Sequence, residues 1–160
     1  NALCGADYHT IAFEVMKHFV DLPQDDLKAL IKKTYTPQAF SHDSITPLVE
    51  YAPHRYFLEL FHGPTLAFKD IALQFLGNLF AHFAAQDNND MIILGATSGD
   101  TGSAAIHACR GRAGMKIFIL HPHNRTSDIQ RRQMTCVADE NVFNIAVDGS
   151  FDDCQRIVKD

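Results

Sequence analysis

Two stretches of this sequence carry residue types at spacings that could do chemistry. The first is Leu60-Phe-His-Gly-Pro-Thr-Leu-Ala-Phe-Lys-Asp70, which holds Lys69, the only lysine or arginine between Arg55 and Arg110. Lys69 falls where a helical pattern begins, and a cation there opposes the helix dipole at a cost of about 0.3–1 kcal/mol. Its neighbours in sequence, Leu66, Ala67, Phe68 and Ile71, are apolar, and apolar surroundings disfavour the charged amine. Both effects lead to the expectation of a neutral amine, the form that attacks a carbonyl carbon. A solvated lysine paired with Asp70 satisfies the same local pattern. His62 is a further candidate for substrate contact, with a hydrogen-bonded structural histidine as the plainer reading.

The second stretch is Gly95-Ala-Thr-Ser-Gly-Asp-Thr-Gly102, set between an apolar run and a helical pattern. Its glycines admit close backbone approach. Free N–H groups at a helix start form an anion site, and hydroxyls of Thr97, Ser98 and Thr101 add donors. The glycine spacing is not that of the dinucleotide fingerprint, and no Gly-Lys-Ser/Thr follows as in a nucleotide P-loop. The local chemistry therefore gives an anion site, or else a capped turn without a ligand.

The elements that must position these residues are legible in outline. Residues 8–20 read as a helix with Ile11, Val15 and Phe19 on one face, and residues 25–35 as a second with Leu27, Leu30 and Ile31 inward. Residues 36–47 read as a loop and 57–61 as a strand. Ala72, Phe75, Leu76, Leu79, Phe80 and Phe83 form a helical stripe after Lys69. Then come a strand at 91–94, a helix at 103–110, a strand at 116–120, and a helix at 126–137 capped by Thr126 or Ser127. A strand at 141–147 follows, then a helix from 151 to 160 with Phe151, Cys154, Ile157 and Val158 on one side. This alternation predicts an α/β fold with a parallel, twisted sheet and flanking helices. The expected division is a helical part over 1–50 and an α/β domain over 51–160.

Composition narrows the function classes. The chain has 160 residues and a net charge of −5. The basic residues Arg110, Arg112, Lys116, Arg125, Arg131 and Arg132 are diluted by acids and read as solvated surface rather than a nucleic-acid face. No window is long and apolar enough for a membrane helix, and the first residues lack the pattern of a signal peptide. Cys4, Cys109, Cys136 and Cys154 form no CxxC pair, which suits a reduced, cytoplasmic protein. His121 and His123 share a strand face, but no third ligand is spaced to join them, so no metal site is expected. The sequence starts without methionine and stops within a helical pattern, so a segment of a longer protein is expected.

Taken together, the two motifs, in this order along the chain, resemble the fold-type II pyridoxal-phosphate enzymes. The wording is nearest the threonine synthase family: Leu60 to Asp70 resembles its lysine motif and Gly95 to Ala105 its substrate-carboxylate loop. The likeness extends to Val147-Asp-Gly-Ser-Phe-Asp-Asp-Cys154. The resemblance implies threonine biosynthesis from O-phosphohomoserine and water, releasing phosphate. It implies that Lys69 holds pyridoxal 5'-phosphate covalently and shuttles protons at Cα and Cβ. It implies that Thr97, Ser98, Gly99, Asp100 and Thr101 bind the substrate carboxylate. Asp100 would also lie near the cofactor's ring hydroxyl, where many relatives carry Asn. The family's cofactor-phosphate loop and ring-nitrogen partner have no counterpart in this sequence, so the 160 residues alone are expected to be inactive. Another fold-type II lyase, or a non-catalytic anion-binding α/β domain, are the alternatives.

Overall fold

A computed structural model describes residues 3–87 and 90–160 of the chain. Two helices come first, α1 (Tyr8–Met16) and α2 (Gln24–Thr34). Asp7 caps α1, its side chain accepting from the Thr10 N–H at 2.7 Å. α2 has Asp25 and Asp26 in its first turn and Lys32 and Lys33 in its last, as its dipole favours. A two-stranded antiparallel hairpin follows, β1 (Leu48–Ala52) and β2 (Arg55–Leu58). The long helix α3 (Lys69–Asp87) leads into the sheet. The rest alternates: β3 (Met91–Ala96), α4 (Asp100–Cys109), β4 (Met115–Pro122), α5 (Asp128–Thr135), β5 (Val142–Val147) and α6 (Phe151–Lys159). β3, β4 and β5 form a parallel sheet in that order, with Ile93 opposite Ile117 and Ile119 opposite Asn144. The expected α/β class with a parallel sheet and flanking helices is the fold observed.

Two apolar clusters hold the molecule, and α3 is their shared wall. One joins Leu27, Leu30, Ile31, Tyr35, Phe40 and Ile45 to Phe75. The other joins Ile106, Met115, Ile117, Ile119 and Met134, with Leu73 and Phe80 of α3 packed against it. A polar line ties the two regions. Arg112 donates to Asn78 at 2.8 Å, and Asn78 donates to Thr34 at 2.9 Å. The opposite sheet face, with Ile92, Leu94, Phe143 and Ile145, is exposed.

Several elements depart from the sequence expectation. α1 ends at Met16, and Ile11, Val15 and Phe19 point outward, Phe19 being 84% exposed. Tyr8, Ala12, Phe13 and Met16 face the core instead, where the Tyr8 and Tyr35 rings meet edge to face with centroids 4.9 Å apart. Both faces of α1 are apolar at four-residue spacing, so periodicity could not choose between them. In α3 the expected stripe is split, with Phe75 and Leu79 toward one cluster and Phe80 toward the other, while Ala72 is exposed. The strand at 57–61 is instead the second half of a hairpin, its residues exposed. α4 starts at Asp100, three residues before the expected Ser103, because Gly102 lies inside the helix against Thr97 and Met134. Ile157 of α6 is 53% exposed, whereas Cys154 is fully buried. The division expected after residue 50 falls within β1.

Candidate functional site

The C-terminal end of a parallel strand, where a loop turns into a helix, is where α/β proteins bind ligands. Here β3 runs into the glycine turn and α4, and Lys69 stands at the start of α3 beside it. Phe68, Lys69, Thr97, Ser98, Asp100 and Gln130 line one cavity of about 460 Å³. Gly99, Thr101, Phe151 and Gln155 complete its walls. The structure thus brings Lys69 together with Thr97, Ser98, Gly99, Asp100 and Thr101, but not with His62.

The lysine loop is held from below. Asp70 is 0% exposed, and its carboxylate accepts from the Thr65 N–H at 2.8 Å and from the Thr65 hydroxyl at 2.9 Å. Gln133 of α5 donates to the Thr65 carbonyl at 3.1 Å, and the Ser41 N–H donates to the His62 carbonyl at 2.9 Å. Leu66 sits at φ 61°, in the left-handed region that non-glycine residues avoid. Residues held there cost about 1–3 kcal/mol and persist when their surroundings fix them. The Thr65 anchors supply that constraint three residues before Lys69.

Asp70 is therefore no surface partner for Lys69. The Lys69 amine has no ion-pair partner among the described residues and rests 4.6 Å from the centre of the Phe68 ring. Lys69 is half-buried, and Leu66 and Phe68 are exposed, so its neighbours in sequence do not enclose it. Sequence adjacency suggested an apolar pocket; the strained loop instead turns those side chains outward. His62 lies elsewhere. It pairs with Glu59 at 2.7 Å and lines a second cavity with His107. Burial, then the charge of Arg110, lowers the His107 pKa, and its Nδ1 has no partner among the described residues.

The glycine turn sorts its donors into two groups. Thr97 is 3% exposed, and its Oγ1 accepts from the Gly99 N–H at 3.1 Å and the Gly102 N–H at 3.0 Å. The same hydroxyl donates to the Gly99 carbonyl at 3.1 Å. The expected Thr97 hydroxyl donor is thus consumed inside the loop, and its work is to shape it. The N–H groups of Ser98, Asp100 and Thr101 donate to no acceptor among the described residues. They stand at the start of α4, where the dipole favours negative charge. Ser98, Asp100 and Thr101 are also exposed. This is the geometry of an anion site beside a primary amine.

Gln130, Phe151 and Gln155 were not visible as site residues in the sequence. Gln130 donates from Nε2 to Asp100 Oδ1 at 2.7 Å, and Ser127, which caps α5, donates to Gln130 Oε1 at 2.9 Å. Only the packing of α5 against α4 and of α6 against β3 brings these side chains in. The one available signal was the Ser127 cap, which fixes where Gln130 points.

The site has what pyridoxal phosphate requires of this part of a protein: an amine with no ion-pair partner among the described residues on an open cavity, and N–H donors and hydroxyls of exposed residues within the same walls. The pyridoxal-phosphate dependent enzyme family matches over residues 40–160. A threonine synthase of Pseudomonas aeruginosa is 52% identical over 157 residues, which are 97% of this chain and 33% of that protein. The crystal structure of pyridoxal-phosphate-bound threonine synthase from Brucella melitensis superposes with a TM-score of 0.86 at 44% identity, over 99% of this chain and 34% of that one. The yeast threonine synthase structure gives a TM-score of 0.85 at 46% identity, over 96% and 33%. The chain spans about a third of the length of these relatives.

Proposed function

We infer the function from a premise now in hand: the chain belongs to the family of pyridoxal-phosphate dependent enzymes. The proposal is that it forms the lysine-bearing part of a threonine synthase, which converts O-phosphohomoserine and water to threonine and phosphate. The observation that carries it is the cavity shared by Lys69 and the glycine turn. Bound pyridoxal phosphate supplies an electron sink that makes loss of the Cα proton possible. Lys69 holds the cofactor covalently, then takes and returns protons at Cα and Cβ from Nζ. The free N–H groups of Ser98, Asp100 and Thr101 bind the substrate carboxylate. Thr97 and Gly99 keep those groups turned toward it. Carboxylate binding at the turn orients Cα toward the lysine amine, which converts proton transfer into a step within one complex.

A reduced, cytoplasmic setting is part of the proposal and rests on the four free cysteines, of which Cys109 and Cys154 are buried. The test is borohydride reduction of the cofactor-loaded full-length protein, followed by peptide mass mapping. A pyridoxyl adduct on Lys69, and loss of both adduct and turnover in K69A, are expected. An unmodified Lys69 in folded protein would sink the reading. Assays with O-phosphohomoserine and O-phosphoserine separate a threonine synthase from another lyase of the same fold.

A further inference from the structure

We propose that Gln130 is a positioning residue that keeps the anion site open by drawing the Asp100 carboxylate away from the free N–H groups of its own loop. The inference rests on the reading of the glycine turn as the substrate-carboxylate site. An aspartate at the start of a helix readily folds back onto nearby backbone N–H groups. Asp100 is such a residue, and the N–H groups of Ser98, Asp100 and Thr101 are the donors within its own turn. If it folded back, its carboxylate would occupy the place of the substrate's carboxylate. It does not. Its Oδ1 lies 2.7 Å from Gln130 Nε2 on α5.

The hold has a direction. The single Ser127 hydroxyl proton is donated to Gln130 Oε1, so the amide must present its N–H groups to the other side, where Asp100 accepts. The backbone is shaped for it as well. A Cβ on Gly99 would lie 2.5 Å from Gln130 Nε2, so only a glycine admits the amide against the loop. A neutral amide is also the fitting donor. It holds the carboxylate without adding a charge that would compete for an anionic substrate. The same helix anchors the other wall through Gln133 and Thr65, so α5 sets the spacing of both walls.

The test is a double-mutant cycle in the cofactor-loaded full-length protein, read by calorimetric binding of threonine, the proposed product, and by the split of KM and kcat. Q130M keeps the side chain's length and removes its donor. Threonine affinity is expected to fall roughly tenfold, the scale of one hydrogen bond to a charged group. KM should rise by a similar factor while kcat holds. Q130E, which sets two carboxylates against each other, should weaken binding further. In the D100A background, where no carboxylate can fold back, Q130M should cost nothing more. An equal loss from Q130M with and without Asp100 would overturn the proposal, because a packing role is indifferent to the Asp100 carboxylate. So would a fall in kcat with KM unchanged. Absence of a pyridoxyl adduct on Lys69 in the unsubstituted protein would remove the functional reading and this inference with it. An adduct combined with additive losses would remove this inference alone.

Discussion

Two aspartates lie in the first turns of neighbouring helices, Asp70 buried under the lysine loop and Asp100 lining the cavity, and they do opposite things. Asp70, second residue of α3, is fully buried and spends both carboxylate oxygens on Thr65. Asp100, first residue of α4, is exposed, and only its Oδ1 is held, by a side chain from another helix. Both benefit from a helix dipole. The difference lies in which loop does the holding. The lysine loop is organised by the aspartate that follows it. The glycine turn is organised by Thr97, a neutral hydroxyl, which leaves its aspartate free to face the cavity. A carboxylate that builds a loop and a carboxylate that faces the cavity thus differ in burial and partners, not in type or helix position.

The largest effect expected from this contrast is on Asp70. Asp70→Ala leaves the Thr65 N–H and hydroxyl, which are half-buried, without their acceptor, empties the buried place of the carboxylate, and leaves strained Leu66 with less to hold it. A loss of about 3 kcal/mol is expected from the orphaned donors and the missing carboxylate. Thermal or denaturant unfolding of the full-length protein measures it, and a loss within about 0.5 kcal/mol, the usual range for a surface change, would break the contrast. Asp70→Asn should fall between, since one amide oxygen still accepts while the NH2 faces another donor.

Thr97 comes next. Thr97→Val keeps the shape and removes the oxygen that accepts from Gly99 and Gly102. The Gly102 N–H also reaches the Gly99 carbonyl at 3.0 Å, so only Gly99 is wholly deprived. About 1–2 kcal/mol of stability should go, and Thr97→Ser should restore most of it. Unfolding curves for the pair decide it. If Thr97→Val were neutral, the turn would owe its shape to something other than this hydroxyl.

The sequence made one half of the contrast visible and hid the other. Lys69 and Asp70 could be placed at a helix start because the apolar pattern after them is long. The turn from Gly95 to Gly102 stood out because glycines and hydroxyls cluster between an apolar run and a helix. The parallel sheet followed from the alternation after residue 90. Burial was not legible. Nothing local said that Asp70 would be buried and Asp100 exposed, although the structure sets each in a first helical turn. The loop geometry that seals Asp70 depends on Thr65 folding back onto it. Gln130 was hidden for a similar reason: its partner is on another element, and only the packing of α5 against α4 joins them. The outward turn of Leu66 and Phe68 came from a backbone angle that residue type argues against. The face of α1 was misread because two apolar faces were on offer and the choice was made by Tyr35, a residue outside the helix.

The smallest effect on stability should come from the other aspartate. Asp100→Asn removes a charge but keeps an oxygen that can accept from Gln130 Nε2, and the side chain is exposed, so water solvates whatever the loop does not. A change within about 0.5 kcal/mol is expected, as for surface substitutions generally. The loss of charge at the mouth of the cavity should instead appear in ligand binding. Cofactor and threonine affinities, measured by calorimetry on the same preparation, should change while the unfolding midpoint does not. That combination is the mirror of Asp70→Ala, where stability falls first and ligand binding follows from it. Should Asp100→Asn unfold the protein as readily as Asp70→Asn does, the division of labour between the two carboxylates would be wrong, and the turn at Gly95–Gly102 would depend on its aspartate just as the lysine loop does.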